Sequence, residues 1–527
     1  MANRAYSRFA HLVARANRNR AATLLGAVAL AASAYVIAYP FWVVTYPPIT
    51  DFPFHGAEIA IFRHYFDPTW HFREQFSLHL FDAPYLSMYV VGLVFAFFTS
   101  PLAATKGMAI VMLALMPAGL AVMFHGMKKS PLWGLLGLEL VWCTLTHWGF
   151  LNFMGAIGLF AAVIGFTLLA LDRPSRSRVA WLTGALLAVF FTHIYRFPFA
   201  VAVVVGTAVV MYPATRRIRP VVVPVAVALV VFGLWRVFRR ATLGSDVGPL
   251  TLHWERTSEI PAHMFGGWLS PTEQILAQQM LYATAALFVV SALLFFAQGR
   301  FRRRSSRSWW WGIGVTALPL GVAAVYMACY FVLPMSIGTW WFVYPREAVT
   351  AAFIALGVFP DMPRQWWLKM PLVAAVVAIS GRVALFNAEQ WHEYDASTED
   401  FRAVERSIQH SPKLMYLVFD HSGSTRSSTP FIHLPAWVQA NKGGWLSWHF
   451  VGWDLHPIRY RENDPQVPPP RPPRWEWTPE RFDLRADGPW FDTFLVRNRS
   501  DPGYLFAGDP SIEFVTHSGT WWLYRRQ

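Results

Sequence analysis

Long apolar stretches separated by short polar connections fill the chain as far as position 386, and there the pattern changes. Thr23 to Val44 comes first, preceded by the basic segment Arg4 to Arg20. It has about 20 residues, the length of a bilayer crossing rather than of a signal-peptide core, so it reads as a retained signal-anchor with its N-terminus in the cytoplasm. Further stretches follow at Tyr85 to Ser100, Gly107 to Phe124, Leu132 to Leu145, Phe153 to Leu171, Ala180 to Phe191 and Phe197 to Tyr212. The series closes with Val221 to Val237, Ile275 to Phe296, Trp309 to Leu333, Val343 to Phe359 and Pro371 to Phe386. Pro117, Pro224 and Pro319 fall inside such stretches, which lipid-embedded helices tolerate when neighbours satisfy the freed backbone. The basic clusters Arg173 to Arg178, Arg216 to Arg219, Arg300 to Arg307 and Arg364 to Lys369 mark cytoplasmic connections. The last stretch then exits outward, which sets the expectation of about 11 or 13 crossings with the C-terminus outside.

From Asn387 to Gln527 the chain is too polar to cross a membrane. Leu414 to Phe419 predicts a buried strand running into the turn Asp420-His421-Ser422-Gly423, and Phe431 to Asn441 a helix closed by Gly443-Gly444. Phe491 to Val496, Ser511 to Val515 and Thr520 to Tyr524 predict strands, and a Pro-rich stretch runs from Pro465 to Pro473. The expected division is a transmembrane module over 1–386, with outer loops at 45–82 and 239–273, and a small extracytoplasmic α/β domain over 387–527.

Composition agrees with this picture. Of the 527 residues 55% are hydrophobic and only 14% charged, too few to coat several water-soluble domains, and the mean hydropathy is +0.32. The chain is a polytopic α-helical membrane protein. Its net charge of +14 sits in the short arginine clusters between apolar stretches, a topology signal rather than a nucleic-acid surface, so no nucleic-acid partner is expected. Cys143 and Cys329 both lie in apolar stretches and read as small hydrophobes. No repeat of fixed period appears, which weakens an inverted-repeat transporter.

The sharpest local feature follows the first stretch, in Tyr46-Pro47-Pro48-Ile49-Thr50-Asp51-Phe52-Pro53-Phe54-His55-Gly56-Ala57-Glu58. Three prolines stiffen the loop and present Asp51 at the membrane surface. From His55 the pattern turns helical, with Ile59, Phe62 and Phe66 on one face, as in an interfacial helix. Asp51, His55 and Glu58 could serve acid–base chemistry or hold a metal; alternatively Thr50 and Asp51 cap the helix. Asn152, in Gly149-Phe150-Leu151-Asn152-Phe153, and His193, beside Arg196 in Thr192-His193-Ile194-Tyr195-Arg196, stand at junctions on the same outer side. Arg346, after Trp340-Trp341-Phe342-Val343-Tyr344-Pro345, could grip a lipid phosphate through its planar fork, pair with Glu347, or snorkel to the headgroups.

The acidic residue just past the first crossing, the dozen or so crossings and the C-terminal α/β domain together resemble the GT-C superfamily. These are glycosyltransferases that use polyprenyl-phosphate sugars, among them protein O-mannosyltransferases and the aminoarabinose transferases of lipid A. Asp51-x-Pro53-x-His55, Gly149 to Phe153, His193, Asn441-Lys442-Gly443-Gly444, Phe491 to Arg497 and Gly519 to Arg525 resemble in their order a group of bacterial GT-C-like membrane proteins of largely unassigned activity. Phe52 follows Asp51 where better-studied members often carry a second acidic residue. The resemblance implies inverting transfer of a hexose or pentose from a polyprenyl-phosphate donor at the outer face of a bacterial inner membrane. Asp51 would be the general base, with His55 as a second catalytic candidate. Glu58, Asn152, His193, Arg196 and Arg346 would bind substrate, the two arginines facing the donor phosphate. The acceptor, a glycan, lipid or protein, is left open, and membrane lipid is a partner. No metal ligand is assigned and no cofactor is required, although some relatives use a divalent ion. A transporter or flippase, or a non-catalytic partner for a lipid-linked glycan, is the alternative, with Glu139 and Arg236 as the main charges in mid-span.

Overall fold

The computed structural model describes residues 20–80, 83–239, 250–268, 270–299, 305–338, 340–422, 429–449, 451, 456–461, 465–469 and 475–527. Most of the first basic segment, most of the run Arg300 to Arg307, Gly423 of the expected turn and the end of the Pro-rich stretch lie outside those residues.

Among the described residues eight helices are long and apolar enough to cross a membrane. The first two are α1 (Arg20–Trp42) and, after the helix α2 (Phe52–His64) and the short apolar α3 (Ser87–Ala96), α4 (Pro101–Gly126). Then come α5 (Leu151–Asp172), α6 (Arg176–Thr192, below spanning length), α7 (Phe197–Thr215) and α8 (Arg219–Arg239). The set is completed by α9 (Pro271–Ala297), α10 (Ser306–Val332), the short α11 (Pro345–Ala355) and α12 (Trp366–Ser397). Each spanning helix coincides with one of the apolar stretches, because in lipid only a helix satisfies its own backbone polar groups.

Four apolar stretches give no helix of spanning length among the described residues, so eight such helices stand where about 11 or 13 crossings are expected; besides the short α3 and α6, two stretches take another form. Leu132 to Leu145 falls largely in a ten-residue 3-10 segment, Pro131–Leu140, and Val343 to Phe359 mainly in the eleven-residue α11. Both are too short to cross and are packed inside the protein, where neighbouring helices supply the apolar surroundings that the sequence pattern reads as lipid. The helix α5 is the centre of the bundle and α9 its periphery, with 83% and 17% of their apolar windows buried. Helices α4 and α5 meet backbone to backbone where Gly119 faces Gly158, an approach that any side chain there would block.

The expected break at 386 falls inside α12, which continues as one helix of 32 residues to Ser397. Beyond it five strands form one sheet: β2 (Lys413–Val418), β3 (Trp445–Leu446), β5 (Thr493–Arg497), β6 (Ile512–Ser518) and β7 (Trp521–Arg526). Their order is β3-β2-β5-β7-β6, with β2 parallel to β3 and β5 and the other pairs antiparallel. Along β2, Leu414, Tyr416 and Val418 join the core shared with the membrane helices, while Met415 and Leu417 enter a second core on the opposite face. This is the period of two expected of a strand buried on both sides. A separate two-stranded sheet pairs β1 (Phe76–Leu78), in the loop after α2, with β4 (Ile458–Tyr460). Phe431 to Asn441 is helical only over α13 (Ala436–Lys442), because Pro435 disfavours a helical residue before it.

Candidate functional site

The loop that carries Asp51 is fixed from both sides. The backbone N–H groups of Thr45 and Tyr46 donate to the carboxylate of Asp395 in α12, each at 2.9 Å. Those of Thr50 and Asp51 donate to the carbonyls of His147 and Trp148, at 2.9 and 3.2 Å. Gly149, at a φ of 98°, lies against Asp51, and a Cβ there would stand 2.7 Å from that of Asp51. A left-handed conformation and this close approach both call for glycine.

Asp51 occupies the N-cap position of α2, yet its side chain makes no capping hydrogen bond. Its Oδ1 stands 3.1 Å from Nδ1 of His433, a residue of the C-terminal domain. The carboxylate is one-quarter exposed while the imidazole is buried. The capping expectation for Asp51 thus gives way to a side-chain contact made across the sequence. Nor is α2 an interfacial helix, since Phe52 through Ile61 are all buried. Trp437 of α13 packs against Gly56 and covers the face that would otherwise meet the headgroups.

His55, on the next turn of α2, has Nε2 at 3.0 Å from the carbonyl of Gly149 and Nδ1 at 3.2 Å from the hydroxyl of Tyr89. A carbonyl only accepts, so Nε2 carries the proton and Nδ1 accepts from the tyrosine. Burial lowers the His55 pKa against the opposing pull of Glu58 and Asp51, which keeps the ring neutral. Glu58 is fully buried and pairs with Nδ1 of His456 at 3.1 Å, a second contact between α2 and the C-terminal domain. His449 lies between the rings of Phe54 and Phe76, at 4.8 and 6.2 Å. Burial holds its pKa well below the ordinary value, reinforced by His456, His433 and His55.

A second group faces the first across the start of α5. Arg346 is buried, and its Nε and Nη2 donate to the carbonyls of Phe342 and Trp341, each at 3.0 Å. Nη1 lies 3.4 Å from Nε2 of His193, and the guanidinium stacks 4.0 Å from the Phe150 ring. Arg346 forms no ion pair among the described residues, although the charge of Asp51 is within electrostatic reach. Arg196 differs: its two terminal nitrogens meet the two carboxylate oxygens of Glu347, both at 2.7 Å and both residues buried. Tyr85 links the groups, with its ring 5.3 Å from His193 and 6.4 Å from His456. Asn152 is half-buried, with Oδ1 accepting from the N–H of Phe153.

The structure therefore brings Asp51, His55 and Glu58 onto one helix and gathers His193, Arg196 and Arg346 beside them. The Glu347 alternative is taken up by Arg196 rather than by Arg346. His433, His456, Tyr89 and Tyr85 are the residues that the sequence did not reveal. No group of three or more His, Cys, Asp or Glu side chains is placed to hold a metal ion among the described residues. A cavity of about 480 Å³ lies elsewhere, at the far end of α2 between Tyr65, Asp67, Arg73 and Arg461.

No protein-family model and no curated protein matches the chain. Among solved structures it is similar to ArnT from Cupriavidus metallidurans bound to undecaprenyl phosphate, with a TM-score of 0.53 at 13% identity, over 96% of this chain and 98% of that one. It is also matched to the arabinofuranosyltransferase AftD from mycobacteria, with a TM-score of 0.45 at 13% identity, over 96% of this chain and 41% of that one. The likeness to ArnT runs through nearly the whole of both chains and shows that the two share a fold, here a helical membrane module with a small C-terminal sheet domain. What that fold does here has to be argued from the site.

Proposed function

We propose that the protein is an inverting glycosyltransferase that moves a sugar from a polyprenyl-phosphate donor to an acceptor at the outer face of a bacterial inner membrane. The observation that carries this reading is the proximity of an accessible carboxylate, Asp51, to an arginine, Arg346, that forms no ion pair among the described residues. The GT-C-like fold supports the class, and the polyprenyl phosphate in its structural neighbour supports the donor.

In this reaction the acceptor hydroxyl oxygen attacks the anomeric carbon as the bond from that carbon to the phosphate oxygen breaks. The electron pair leaves with the phosphate, and the hydroxyl proton passes to Asp51. The proton is lost late, so the base need not be a strong one. The leaving phosphate is stable as an anion and requires a cation rather than an acid, which Arg346 supplies from a site that water barely reaches. His55, neutral and held at both ring nitrogens, orients rather than transfers protons. Arg196, locked to Glu347, holds the wall behind Arg346. No step calls for a metal.

The experiment is to incubate the purified protein with a panel of polyprenyl-phosphate hexoses and pentoses and follow their hydrolysis or transfer. Consumption of at least one donor is expected; a panel left intact would contradict the reading. A reporter fused after Gln527 should be active only outside the cytoplasm, since basic connections read as cytoplasmic support an outer C-terminal domain.

A further inference from the structure

Asp51 and His433 are separated by 382 positions and meet at 3.1 Å. An ionised carboxylate only accepts, so Nδ1 of His433 carries a proton and donates a hydrogen bond to Asp51. The ring stacks on Trp448, 5.3 Å away at an interplanar angle of 19°, and lies tilted against Phe54 at 4.6 Å. It is 7% exposed against 25% for Asp51, so a substrate arriving here meets the carboxylate and not the imidazole. Among the described residues Nε2 of His433 has no hydrogen-bond partner, and Oδ2 of Asp51 receives none. One oxygen of the carboxylate is thus tied down and the other left open.

We infer that His433 is the positioning residue of Asp51, and that the C-terminal domain thereby completes the catalytic site. Its Nδ1–H fixes Oδ1 and stops the carboxylate from turning, so that the lone pair of Oδ2 stands ready for the acceptor proton. In the step itself that proton moves to Oδ2 as the new carbon–oxygen bond forms and the phosphate departs, while the imidazole keeps its own. This rests on the reading of Asp51 as the base. A misplaced base slows a reaction on the order of 10²-fold, so the hydrogen bond has a measurable consequence.

Two variants separate positioning from packing. His433→Phe keeps a ring against Trp448 and Phe54 but loses the N–H, and His433→Asn keeps a short side-chain N–H donor. Both are assayed in the full-length protein in lipid nanodiscs, with undecaprenyl-phosphate hexose and pentose as donors. His433→Phe should lower kcat about 10- to 100-fold with donor KM and thermal midpoint unchanged, and His433→Asn should restore most of the loss. A His433→Phe variant within about threefold of wild type in kcat overturns the inference. So does a further loss when His433→Phe is added to Asp51→Asn, since positioning acts only through that carboxylate. A second readout needs no turnover: in histidine-labelled protein a hydrogen-bonded Nδ1 proton resonance should be present in wild type and absent in Asp51→Ala. Its absence from wild type overturns the contact itself. The resonance in a protein that consumes neither donor would instead remove the transferase reading, and the positioning role with it.

Discussion

The two halves of the site treat their charges in parallel ways. On α2, Glu58 is fully buried and paired with His456, while Asp51 is one-quarter exposed and held through one oxygen by an imidazole. Across the start of α5, Arg196 is buried and paired through both nitrogens with Glu347, while Arg346 rests on two backbone carbonyls. Glu58 and Arg196 are buried in pairs, whereas Asp51 keeps one oxygen open and Arg346 forms no ion pair among the described residues. A charge buried in a pair fixes the fold around it; one with an open side or no counter-charge keeps its field for something else. On the proposed function, Asp51 and Arg346 face the substrate and Glu58 and Arg196 belong to the frame.

The comparison is broken most sharply through stability. Glu347→Gln leaves the Arg196 guanidinium buried without its counter-charge, and removing one partner of such a pair costs about 3–5 kcal/mol. The variant should unfold at clearly lower temperature or denaturant, and Arg196→Met combined with Glu347→Leu should recover much of the loss. A Glu347→Gln protein as stable as wild type would show that the pair is no part of the frame. Arg346→Lys comes next: lysine cannot hold both carbonyls and still present a directed charge, so donor KM should rise about tenfold with the thermal midpoint nearly unchanged. An unchanged KM would reduce Arg346 to a tie for the 341–342 backbone. The smallest effect concerns pH. His55 and His449 have folded pKa values below the ordinary 6.5, so the unfolded chain binds more protons and stability rises with pH. Their contribution is fully present above pH 6.5 and is lost as pH falls from there toward the folded values. Thermal midpoints measured from pH 7.5 to 5 should fall on acidification, and His449→Gln should flatten the curve. A slope unaffected by that substitution would show that His449 is not held neutral.

The membrane helices were legible because lipid leaves the chain little choice: a long apolar run must close its own hydrogen bonds. The same logic overreached at Pro131–Leu140 and α11, where apolar sequence faces protein rather than lipid. The strands of the C-terminal domain and the glycine stop at Gly443 were readable from alternation and turn chemistry. Asp51, with three prolines around it, was readable as a candidate for the same local reason. His433 and His456 were not, because a lone histidine in Phe431-Ile432-His433-Leu434 has no periodicity and its partner lies far away in sequence. Only the burial of α2 under α13 makes the contact, and the apolar face of α2 reads equally well as lipid-facing or protein-facing.

The most direct test of the account is the rate of donor consumption by Asp51→Asn beside wild type at equal folded fraction. Asparagine keeps the size, caps a helix as well as aspartate does and can still accept from His433, so only basicity is lost. A fall on the order of 10²–10⁴ with an unchanged thermal midpoint is predicted. A variant that consumes donor at the wild-type rate would contradict the assignment of Asp51 as the base.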